Sequence, residues 1–83
     1  MQRGKYEDAK KTFNAIVDDR RRLFGEEHGL TLWAEMQLGI AMDKAGDGEA
    51  ARETFTNLIP RQEKVLGSDH PDVKDVKKRL GRG

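Results

Sequence analysis

Cysteine is absent from the chain, so no disulfide can staple it and no thiolate can hold a metal. Aromatic residues are scarce, one Trp, one Tyr and three Phe, and only two prolines interrupt the chain. No apolar run approaches the ~18–20 residues that a membrane span needs. The opening Met1-Gln2-Arg3-Gly4 also lacks the apolar stretch of a secretory leader. These absences point to a cytoplasmic protein without a membrane segment. A formal net charge of +1 gives no global attraction for nucleic acid or for acidic substrates. What is present is charge of both signs, 37% of 83 residues, against 35% hydrophobic residues. A chain this short forms one small domain that buries roughly 60–65% of its unfolded surface. With a mean hydropathy of −0.87, a thin helical array is expected rather than a deep-cored globule.

The residues repeat. Gly4-Lys5-Tyr6-Glu7-Asp8-Ala9 returns as Gly46-Asp47-Gly48-Glu49-Ala50-Ala51, an offset of 42 residues from Gly4 to Gly46. Thr12-Phe13 matches Thr54-Phe55, Gly25 matches Gly67, His28 matches His70, and Leu38-Gly39 matches Leu80-Gly81. Ile16 answers to Leu58, Leu23 to Val65 and Glu27 to Asp69. One register held over so many spaced positions marks a repeat array, and its period governs every later inference.

Within that period the apolar spacing is helical. Tyr6, Ala9, Phe13, Ile16, Val17 and Phe24 fall three, four or seven apart and predict a helix from about Lys5 to Phe24. Gly25 stands where a left-handed stop belongs, and Arg20-Arg21-Arg22 face the negative end of the helix dipole. A second helix is expected from about Leu30 to Ala45. It carries two stripes, Ala34, Leu38, Ala41 and Ala45 on one side and Trp33, Met36 and Ile40 on the other. A third helix, N-capped by Asp47, repeats the first with Ala51, Phe55, Leu58, Ile59 and Leu66. Pro60 inside it predicts a kink rather than a break, because the stripe resumes in phase. The loop Gly67-Ser68-Asp69-His70-Pro71 leads to a short last helix to Leu80, with Pro71 at its first position.

The second and fourth helices differ on one face only. Ala34 becomes Val76 and Leu38 stays Leu80, while Leu32, Trp33 and Met36 become Lys74, Asp75 and Lys78. A face so wetted is expected of a terminal, capping element.

These features together resemble the tetratricopeptide repeat, whose helix-turn-helix units stack into a superhelix. The Leu38-Gly39, Ala51 and Phe55 positions carry the resemblance, and it covers Gly4 to Gly81. The 42-residue period and the loops ending in His28 and His70 are similar to the kinesin-light-chain variety. Gly48 departs from the pattern where Tyr6 carries an aromatic, and Gly29 stands in place of the loop proline. The resemblance implies an all-α solenoid of about four antiparallel helices spanning residues 1–83. Residues 4–29 would be the second half of a repeat, 30–70 a full repeat, and 71–83 a polar capping helix and tail. It also implies a protein-protein interaction module that binds a peptide or helix in a groove lined by the first helix of each unit. By helix phase, Trp33, Met36, Gln37, Ile40, Asp43 and Lys44 would face that groove. The same stripe also suits packing on a neighbouring helix, within the array or across a homo-oligomer. The competing function is structural self-association, a homodimer through the uncovered first helix and the apolar stripe of the second.

Other chemistry finds little footing. His28 and His70 occupy equivalent loops about one repeat spacing apart, on the order of 10 Å. That is too far to share an ion at Zn–N distances of ~2.0–2.1 Å. Capping of the following helices is their expected role, and no metal or other cofactor is expected. Ser68 is the single serine and lies outside any nucleophile elbow. Glu26-Glu27 and Asp18-Asp19 are adjacent and therefore diverge, so no catalytic residue is expected. Arg20-Arg21-Arg22 and Lys74, Lys77, Lys78, Arg79 and Arg82 are diluted by Asp18, Asp19, Asp72 and Asp75. They read as solvated faces, not as a nucleic-acid surface.

Overall fold

A computed structural model of the chain describes residues 2–81. Four α-helices follow one another in the described chain: α1 Gln2–Phe24, α2 Gly29–Lys44, α3 Gly48–Leu66 and α4 Pro71–Arg79. The all-α repeat architecture expected from the 42-residue register is present, and the boundaries fall close to the sequence expectation. α1 begins at Gln2, ahead of the expected Lys5, and takes Gly4 into its first turn. Arg82, counted above with the basic C-terminal cluster, lies outside the described residues, as do Met1 and Gly83.

Glycine and histidine punctuate the helices. Gly25, Gly46 and Gly67 have φ of 87°, 96° and 93°, a region that a side chain would strain, and each follows the end of a helix. His28 and His70 then open the next helices. His28 Nδ1 accepts the Leu30 N–H at 3.1 Å, and His70 Nδ1 accepts the Asp72 N–H at 3.0 Å. Each satisfies a donor that a helix N-terminus leaves unpaired. Asp47 behaves differently from its expected role. It sits at the N-cap position of α3 but makes no side-chain cap bond; its carboxylate is taken instead by Lys10 of α1. α3 runs unbroken through Pro60.

α2 lies between α1 and α3, which is why it is apolar on two sides. Ala34 and Leu38 pack with Val17, Phe13 and Ile16 of α1. Leu32 and Met36 pack with Ala51, Phe55 and Leu58 of α3, with Val76 of α4 and with Leu80 just past its end. Leu32, Phe55 and Leu58 are fully enclosed, each contributing about 1.5–3 kcal/mol of burial. The tightest approach is at Gly39, where an added Cβ would stand 2.5 Å from Phe55 Cε1. The glycine is what lets the Phe55 ring come so close to α2. The molecule measures 37 × 33 × 17 Å, thin enough that each core side chain lies close to a surface.

Candidate functional site

Helix geometry puts Trp33, Gln37, Ile40 and Lys44 on one line of α2, spaced four, three and four residues apart. Antiparallel packing brings α1 alongside with Tyr6, Phe13 and Arg20, spaced seven apart on its own face. The two lines meet in a ladder of rings and cations. Phe13 meets Trp33 edge to face, with centroids 6.0 Å apart and planes at 70°. Arg20 lies 5.6 Å from the Trp33 ring centroid and donates to the Leu30 carbonyl at 2.9 Å. At the other end Lys44 lies 5.6 Å from the Tyr6 ring centroid. Contacts of this kind are worth about 0.5–1 kcal/mol each when exposed. Trp33 nevertheless keeps 43% of its surface open, so its indole is presented, not consumed.

The six residues singled out by helix phase therefore divide. Trp33, Gln37, Ile40 and Lys44 share one stripe; Gln37 and Ile40 are half-buried, and Lys44 is exposed. Asp43 is exposed and lines a recess of about 400 Å³ with Arg52, Phe55, Arg79 and Leu80. Met36 is 5% exposed and belongs to the core against α3 and α4. For Met36 the packing alternative holds: it lies one step around the helix from the Trp33 line, on the side that α3 covers.

Sequence reasoning missed the polar centre on the opposite side of α2. Glu35 is 3% exposed and takes both Arg61 guanidinium nitrogens of α3 at 2.6 Å, with Arg21 of α1 at 3.3 Å. These bonds hold the Arg61 pKa above its ordinary value, against the opposing effect of its burial. One carboxylate thus ties three helices together. It forms the floor of a groove of about 430 Å³, flanked by Asn14 and Val17 of α1 and by Thr54 and Asn57 of α3. A lone Glu inside the apolar run Leu32-Trp33-Ala34-Glu35-Met36 was the available signal. The Arg20-Arg21-Arg22 run is correspondingly not a uniformly solvated face. Arg20 and Arg21 reach α2, and Arg22 pairs within α1 to Asp19.

Among the described residues no three His, Asp or Glu side chains are placed to hold a metal ion. No helix among them is long and apolar enough to cross a membrane. The family model described as tetratricopeptide repeat matches residues 1–56, about two thirds of the chain. No curated protein and no solved structure matches it.

Proposed function

Because the chain belongs to the tetratricopeptide repeat family, whose members generally mediate protein-protein contact, we propose that it captures a peptide or helix on the α1–α2 face. Trp33 is the anchor, Ile40 extends the apolar strip, and Gln37, Asp43 and Lys44 supply polar contacts. Met36 supports the strip from below. The observation that carries this reading is Trp33, a large ring left 43% open while Phe13 and Arg20 hold its orientation. A rigid, half-exposed aromatic is the type of side chain that dominates binding energy. The module performs no chemistry of its own. The 42-residue register and the histidine-capped loops support assignment to the kinesin-light-chain variety of the repeat.

Trp33 is the sole tryptophan, so its emission reports on the site directly. Peptides selected from a random display library on the immobilised chain should shift that emission to the blue. Trp33→Ala should weaken their binding by roughly 30-fold, the loss of about 2 kcal/mol typical of a hot spot, with the helical circular dichroism kept. A selection that yields no peptide, or peptides that bind Trp33→Ala equally well, rules the site out.

A further inference from the structure

The groove above Glu35 has walls that the 42-residue register does not repeat. Both asparagines of the chain line it, Asn14 from α1 and Asn57 from α3. Their register partners are Thr56 and Ala15, and that of Arg21 is Glu63. The apolar floor is kept, with Val17 answering to Ile59 and Leu38 to Leu80. Helix stacking therefore accounts for the floor but not for the polar lining. The walls are also tied to each other near both ends. Lys10 of α1 bonds Asp47 just before α3, and Arg61 donates to the Glu26 carbonyl at 3.4 Å. Neither asparagine side chain bonds to another described residue. Arg21, its side chain 43% exposed, has spent one of its five N–H groups, on Glu35 at 3.3 Å. The four charges around the groove, Arg21 and Arg61 against Glu26 and Glu35, cancel. Their sum draws neither an anion nor a cation, whereas two carboxamides, each with donors and acceptors, match a peptide group.

We propose that this groove, on the side of α2 opposite Trp33, holds an extended, uncharged peptide segment. Asn14 and Asn57 pair with its backbone from the two walls, and Arg21 donates to a backbone carbonyl at one end. A helical ligand is unsuited, because its N–H and C=O groups are already bonded to one another. An extended strand leaves those groups free along its edges. From Asn14 to Arg21 is seven helical residues, ~10 Å, the length of about three extended residues.

Acetyl-trialanine amide, uncharged and of that length, is the probe, titrated into the isotope-labelled chain and followed by nuclear magnetic resonance. The side-chain NH2 signals of Asn14 and Asn57 should both move to saturation, at a midpoint that added salt leaves unchanged. Asn14→Ala and Asn57→Ala should each weaken binding by about fivefold, the worth of one hydrogen bond. Their helical signal should be kept, because both sites are exposed and alanine favours the helix. Thr56→Ala, at the Asn14 register but outside the groove, should change nothing, and so should Trp33→Ala. The Trp33 variant separates this groove from the Trp33 strip, so that either can fail while the other stands. Unmoved asparagine signals, shifts confined to the Trp33 indole N–H, or asparagine variants that bind as the wild type does overturn the proposal. Sodium acetate moving the Arg21 signal where the tripeptide does not would overturn it as well, by assigning the groove to a carboxylate.

Discussion

Replacing Gly39 by alanine isolates the closest contact in the molecule. In an unobstructed helix the change stabilises by about 0.8–1.0 kcal/mol, because alanine restricts the unfolded chain and suits the helix. Here the new Cβ would lie 2.5, 2.9 and 3.0 Å from three carbons of the Phe55 ring. That ring is 2% exposed and enclosed by α2, α3 and α4, so it has no free direction in which to retreat. Overpacking of this kind costs about 1–3 kcal/mol, and with three contacts shorter than van der Waals distance the upper part of that range applies. Gly39→Ala should thus destabilise by about 1–2 kcal/mol, the steric cost less the propensity gain. Phe55→Leu removes the two nearest ring atoms, and in that background the same substitution should turn stabilising by up to about 1 kcal/mol. Urea titration followed by far-ultraviolet circular dichroism gives all four corners of the cycle. A coupling near zero, or a wild-type background that gains stability from Gly39→Ala, refutes the account of Phe55 resting on α2.

Two further perturbations follow from the caps and the buried carboxylate. His28→Ala and His70→Ala should each lower stability by about 0.5–2 kcal/mol in denaturant titration, while Asn at either position, a good cap, should restore most of it. Glu35→Ala should cost about 2–3 kcal/mol, below the ~3–5 kcal/mol of a fully buried pair, because Arg61 keeps access to water. The double replacement Glu35→Leu with Arg61→Met should recover much of that loss in the same assay, since a matched apolar pair removes both desolvation costs.

The parts legible in the sequence were those set by short-range pattern. Stripes three and four residues apart gave four helices, glycine marked their stops, and the duplicated His28 and His70 identified themselves as caps by recurring at loop ends. What escaped was pairing over distance. Asp47 had the chemistry of a cap, yet Lys10, 37 positions away, holds its carboxylate. Glu35 and Arg61 stand 26 positions apart, and nothing local says that they meet. Met36 and Trp33 illustrate the remaining ambiguity. Both are large and apolar on a helix with two greasy sides, and only the placement of α3 decides that one is enclosed and the other presented.

Each helix rests chiefly on its neighbours in the chain, and α4, at nine residues, has the least to rest on. The last turn can melt and re-form while α1 and α2 stay joined through Val17, Ala34 and Leu38, so unravelling should begin at one edge and travel inward, as a zip opens.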